Sequence, residues 1–234
     1  MKRFASTIQT DVTVQVRNRL YIIGPAFAVL MALFLGQVAA QPDFYRAIPV
    51  LLLIVTGGTT LLYVAALILF EKDEGTLNGL IVSPLRTWEY LTSKVVTLTA
   101  LALLESLIMV GLVTRLQGFN IPLLVLGILA IGTVYTLIGV VMIVRYRSIT
   151  DFIVPVAVIS LILQMPFLHF LGLLESPLFL LIPTSAPTLL MQGAWQSLTT
   201  WEWVYALGYT LATTVLLSVW AYRAFYRYII LKVR

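Results

Sequence analysis

The sequence has no cysteine, a single histidine and few charges. Without cysteine there can be no disulfide framework, no thiolate metal site and no thiol nucleophile. The lone histidine, His169, lies near the end of an apolar run. A histidine in that setting is an interfacial or packed side chain more often than a ligand or base. Only 11% of the residues are charged, against about a quarter in soluble domains. There are four lysines, Lys2, Lys72, Lys94 and Lys232, and none follows a glycine. The Gly-Lys-Ser/Thr end of a phosphate-binding loop is therefore missing, and no nucleotide site is expected. No catalytic set, metal-ligand set, internal repeat or low-complexity segment is visible.

What is there is apolar. Of 234 residues, 60% are hydrophobic, and the mean hydropathy is +1.00. An all-α, polytopic membrane protein is expected, formed by one domain over residues 1–234. A helix needs about 20 apolar residues to cross the hydrocarbon. Six segments qualify: Leu20–Ala40, Ile48–Phe70, Leu91–Thr114, Ile121–Val144, Phe152–Leu174 and Trp203–Tyr222. The "QVAAQ" after the first run resembles a signal-peptide cleavage site. The long polar lead of residues 1–19 argues instead for a retained span.

Charge sets the orientation. Thirteen of the fifteen lysines and arginines fall at the two termini and in the segments after spans two and four. Only Arg46 and Arg115 fall on the other side. The positive-inside rule then puts both termini in the cytoplasm of a multi-pass cell membrane protein. Topology accounts for the net charge of +5, so no nucleic-acid partner is implied. Trp195, Trp201, Trp203 and Trp220 fall near the two ends of the last span, as amphipathic rings do.

Two segments outside the spans have their own patterns. In residues 1–19, Phe4, Ile8, Val12 and Val16 recur every four positions, which suggests a helix on the inner membrane surface. Val12, Val14 and Val16 also alternate as in a strand. Residues 176–194 are apolar but carry Pro177, Pro183 and Pro187, which interrupt a helix. A pair of short helices dipping into the outer leaflet fits, and an ordinary outer loop is the alternative.

The densest charge cluster is "LFEKDEGTLNGLIVSPLRTWEYLTSK". Glu71, Asp73 and Glu74 come first, and acids favour a helix N-terminus. Leu77, Leu80 and Ile81 then make an apolar stripe, and Pro84 ends it. A short amphipathic helix over residues 71–84 is expected, suited to docking a cytoplasmic partner. A solvated loop is the plainer reading.

This stretch resembles the signature loop of type-2 ATP-binding-cassette exporter permeases. The matching residues are Glu71, Asp73, Glu74, Gly75, Thr76, Leu77, Leu80, Ser83, Pro84, Tyr90, Leu91 and Lys94. Asp73 is an acid where such loops also carry Glu or a basic residue. Six spans, an interfacial first helix and a proline-broken outer segment extend the resemblance to nearly the whole chain. It implies a permease domain whose residues 71–84 form a coupling helix, with ATPase contacts at Glu71, Asp73, Glu74, Gly75, Thr76, Leu77, Leu80, Ser83 and Pro84. It implies two ATPase subunits that bind ATP and Mg, no cofactor in this chain, and a second permease chain, identical or not. The chain would be a transport subunit and not an enzyme. The implied cargo is a hydrophobic or amphipathic small molecule of drug or antibiotic type. Lipids or lipid-linked polysaccharides are the alternative. A secondary transporter would call for several intramembrane charges and a repeat. An intramembrane enzyme would call for a catalytic cluster. A non-transporting membrane partner is the last rival, and an adjacent ATPase gene would argue against it.

Inside the spans, Glu105 stands out. An acid at a span centre costs about 2.5–3.5 kcal/mol on insertion scales and faces the bundle interior. Glu105, Tyr135 and Gln164 are read as lining the translocation path, with Glu105 contacting a cationic substrate or switching with protonation. The alternative is that Glu105 is an interhelix clamp, with Tyr135 and Gln164 at similar depth as candidate partners. Gly57 and Gly58 are read as a tight packing point, a dimer seam or a hinge.

Overall fold

The structure, a computed structural model, describes residues 2–38, 44–77, 79, 85–115, 118–146 and 148–231. The described residues are almost entirely helical and contain no strand. The helices are α1 (Lys2–Arg17), α2 (Leu20–Val38), α3 (Phe44–Asp73), α4 (Thr87–Thr114) and α5 (Ile121–Ile143). Then come α6 (Ile149–Gln164), α7 (Pro166–Phe170), a 3-10 turn (Pro177–Leu181), α8 (Ser185–Gln192) and α9 (Thr200–Phe225), with a π turn over Tyr226–Ile230.

Five stretches are long and apolar enough to cross a membrane: Ala47–Asp73, Thr87–Thr114, Ile121–Ile143, Thr150–Phe170 and Thr200–Ile230. The bent pair α1 and α2 makes a sixth when the two are taken together. The fold is that of an all-helical polytopic membrane protein. α5 is the most enclosed helix, packed by α3, α4, α8 and α9. α6 and α9 lie at the periphery. Their outer faces expose Val154, Val158, Leu161, Leu211, Val215 and Leu216, an apolar surface of the kind hydrocarbon covers.

Residues 2–17 are helical, which settles the helix against the strand pattern. The chain turns by 62° between α1 and α2, through Arg19 in a left-handed conformation (φ 59°). α4 begins one turn before the expected start, and α9 is longer than expected at both ends. Thr199 and Glu202 form a capping box there: the Glu202 N–H donates to Thr199 Oγ1, and Thr199 N–H donates to the Glu202 carboxylate. The expected fifth span breaks before Pro166, which cannot donate to the helix ladder. Residues 176–194 hold two short helical pieces, and α8 is buried against α5 and α9.

One local expectation is corrected. Glu71 and Asp73 do not start a new helix. α3 runs on to Asp73, so both acids sit in its last turn. Lys72 explains the extension: its ammonium donates to the Ile143, Val144 and Tyr146 carbonyls at 2.9, 3.3 and 2.6 Å. A cation there satisfies the free carbonyls at the end of α5 and complements its dipole. Gly75 then breaks α3 in a left-handed conformation (φ 72°), which glycine adopts without a Cβ penalty. Thr76 and Leu77 resume helical geometry. Asn78 and residues 80–84, including Leu80, Ser83 and Pro84, lie outside the described residues.

Candidate functional site

Two polar centres stand inside this apolar bundle. The first is at the end where α1, the last turn of α3 and the first turns of α4 meet. Lys94 is fully buried there. Its ammonium donates to Asp11 Oδ1 at 2.6 Å and to Glu71 Oε1. Ser93 donates to Asp11 Oδ2 at 2.5 Å, and the Tyr90 hydroxyl donates to Glu71 Oε2. All four carboxylate oxygens are therefore engaged. One turn further on, Gln15 Nε2 donates to Thr97 Oγ1 at 2.8 Å. The spacing explains which residues meet. Asp11 and Gln15 are four apart on α1, and Ser93 and Thr97 are four apart on α4, so each pair shares one helix face. Phe225 of α9 packs over Tyr90 with ring centroids 4.9 Å apart. At the surface of the same region, Arg17 pairs with Glu74 at 2.6 Å.

The residues of the expected coupling segment thus separate. Glu71 and Leu77 turn inward, while Asp73, Glu74 and Thr76 are exposed. Sequence reasoning missed Asp11, Lys94, Tyr90 and Ser93 as a unit. The one available signal was an acid on the otherwise uncharged stretch of α1 between Arg3 and Arg17.

The second centre is Glu105, midway along α4 and 2% exposed. Its Oε2 accepts from Thr59 Oγ1 at 3.1 Å, and the Tyr63 hydroxyl lies close by, against Gly24. Its Oε1 has no hydrogen-bond partner. That oxygen packs against Gly24 of α2, where a Cβ would lie only 1.8 Å away. Glycine there makes the room the carboxyl occupies. Next to it on α4, Ser106 shares a hydrogen bond with Thr56 at 2.9 Å.

Tyr135 and Gln164 are not partners of Glu105, contrary to expectation. The Tyr135 hydroxyl is buried without a partner, and its ring fills the space left by Gly57, where a Cβ would sit 2.3 Å from ring atoms. Gln164 Nε2 donates to Ser160 at 3.0 Å and lies beside Gly58. Gly57 and Gly58 are accordingly packing points for α5 and α6. Equal depth fixes height along a bundle, and direction around each helix decides contact.

Cavities open near the surface at both ends of the bundle. A groove of about 270 Å³ lies between α4, α5 and α9, lined by Trp88, Thr92, Thr133, Thr214, Ser218 and Tyr222 among others. At the opposite end of the bundle, His169, Glu175, Gln192 and Glu202 border a cavity of about 330 Å³. The described residues contain no cluster of three or more acidic or histidine side chains able to hold a metal ion.

Comparison with known proteins gives these centres a context. The chain is 29% identical over 235 residues to the fluoroquinolones export permease proteins of two Mycobacterium tuberculosis strains, H37Rv and CDC 1551. Each alignment covers 98% of this chain and 98% of the relative. The model of the fluoroquinolones export permease protein family matches residues 2–233. This agrees with the exporter-permease resemblance carried by the loop. With the match running almost from end to end, the chain belongs to the fluoroquinolones export permease protein family.

Proposed function

We propose that this chain is the membrane-spanning subunit of an ATP-driven exporter of amphipathic drug molecules of the fluoroquinolone type. The single observation that carries the reading is the family match over residues 2–233. The driving subunit is a separate ATPase, present in two copies, which binds ATP and Mg. The permease itself works as a pair, in the cell membrane, with both termini cytoplasmic. The ATPase contact lies in the 71–84 segment: of its described residues Asp73, Glu74 and Thr76 are exposed, and Gly75, Leu80, Ser83 and Pro84 belong to the same proposed contact. Glu71 and Leu77 support that surface from beneath. Glu105 borders the translocation path, and its unpartnered oxygen is the acceptor offered to a cationic group of the cargo.

The test is drug accumulation in cells lacking their own exporters. The chain and a candidate ATP-binding-cassette ATPase from the same genome are expressed separately and together. Co-expression should lower intracellular fluoroquinolone and raise the inhibitory concentration, and a phosphate-loop lysine variant of the ATPase should abolish both effects. Unchanged accumulation on co-expression would sink the proposal. A cysteine introduced at Asn78 tests the orientation, since an impermeant thiol reagent should not reach it in intact cells.

A further inference from the structure

Lys94 is the one fully buried cation among the described residues, and it faces two carboxylates. The cluster of Asp11, Glu71 and Lys94 therefore holds an excess negative charge. Hydroxyl donors from Ser93 and Tyr90 accommodate it. Three elements meet on this one ammonium, and they are not equally backed.

Glu71 is held from several sides. Tyr90 donates to it and is itself packed beneath Phe225, which ties the ends of α3, α4 and α9 together. Asp11 belongs to α1, which also exposes Gln9, Thr13 and Val16. A pocket of about 230 Å³ opens beside the cluster, lined by Ser6, Thr10, Asp11, Glu71 and Glu74 among others. Both acids border that pocket, and Lys94 does not line it.

Separation of the cluster along its two seams has different consequences. If α1 withdraws, Asp11 passes into water and Lys94 keeps Glu71, so no charge is left buried and unpaired. If α3 and α4 part, the Tyr90 hydroxyl is stranded under Phe225 and the ammonium loses its acceptor from α3. Each event leaves Lys94 one acid, so the difference lies in packing: α3 is packed along α4, α5 and α6 and tied to the end of α5 by Lys72, whereas α1 rests chiefly on α4 with a smaller contact to α2.

We infer that Lys94 is a positioning residue that fixes where the 71–84 segment leaves the bundle. Glu71 is its permanent partner and Asp11 its releasable one. α1 is then a detachable clasp, while the base of the loop stays closed. This goes beyond the assignment of ATPase contacts and holds for the permease chain by itself.

The experiment uses the full chain in lipid nanodiscs, with spin labels on introduced cysteines. One pair, at Thr13 and Thr92, reports α1 against α4. A second pair, at Asp73 and Thr92, reports α3 against α4. Asp11→Asn should broaden the first distance distribution, leave the second unchanged and lower the melting temperature little. Glu71→Gln should broaden the second and lower the melting temperature by about 10 °C. Lys94→Arg should preserve both distributions. Should Glu71→Gln fail to fold, the combination Asp11→Asn, Glu71→Gln and Lys94→Met removes every buried charge, and it should fold with both distributions broadened. An unchanged α1 distance in Asp11→Asn, or equal loosening of both pairs in that single variant, overturns the assignment.

Discussion

The two polar centres of the bundle solve the same problem in opposite ways. At Lys94, each carboxylate oxygen has a donor and the cation lies between two acids. At Glu105, a single acid has hydroxyl neighbours and, among the described residues, no cation partner and one oxygen without a hydrogen bond. The first arrangement satisfies both carboxylates and the cation, leaving only the Gln15 carbonyl one turn away without a partner among the described residues, and it joins three helices. The second is incomplete, in the middle of a span. A buried polar network with every member satisfied rigidifies a fold, whereas an unsatisfied member is a place where a ligand or proton can be received.

The largest expected effect tests the complete centre. Lys94→Met leaves two carboxylates facing one another without a cation, and breaking a buried pair costs about 3–5 kcal/mol. Membrane-inserted yield and melting temperature in detergent should both fall sharply. A wild-type melting temperature would mean that the pairing contributes nothing.

A middle-sized effect should follow from crowding the incomplete centre. Gly24→Ala places a methyl where the Glu105 carboxyl now sits, and overpacking costs about 1–3 kcal/mol. Combining it with Glu105→Ala removes the clash, so the pair should be markedly non-additive. Strict additivity would show that the two residues do not touch.

Glu105→Gln sharpens the comparison further. The amide oxygen still accepts from Thr59, so stability should change by less than about 0.5 kcal/mol. Export of a cationic compound should drop relative to that of a neutral one. Wild-type export of both would make Glu105 a clamp between α3 and α4.

The smallest effect is expected at the exposed pair. Arg17→Gln breaks a contact whose two side chains are about half exposed. Such pairs contribute roughly 0.2–1 kcal/mol. Melting temperature in high salt should not distinguish the variant from wild type, and a clear deficit there would mark α1 as held from outside too.

The spans were legible in the sequence because the hydrocarbon imposes one length and one chemistry. Glu105 was legible because an acid in such a run has nowhere to go but inward. The cluster around Lys94 was not. Its partners lie 83 and 23 residues away, and no local spacing announces such a meeting. Lys94 read only as an inner-surface charge and as a signature position. The same limit misdirected the partners of Glu105. Tyr135 and Gln164 share its depth but face other neighbours, Gly57 and Ser160. The end of α3 was misplaced for a related reason: Lys72 reaches carbonyls at residues 143, 144 and 146, which no reading of residues 69–94 could supply.

The direction of those long-range contacts along the chain bears on how the protein is made. Asp11 and Glu71 both precede Lys94, and Gly24, Thr59 and Tyr63 all precede Glu105. When α4 leaves the ribosome, each of its buried ionisable groups meets partners that have already been synthesised. The first four helices can close as a unit before α5 exists. Among the described charged residues of those four helices, the half-buried Lys72 reaches past them to a later segment, and it waits at a helix end, where water can hold its charge.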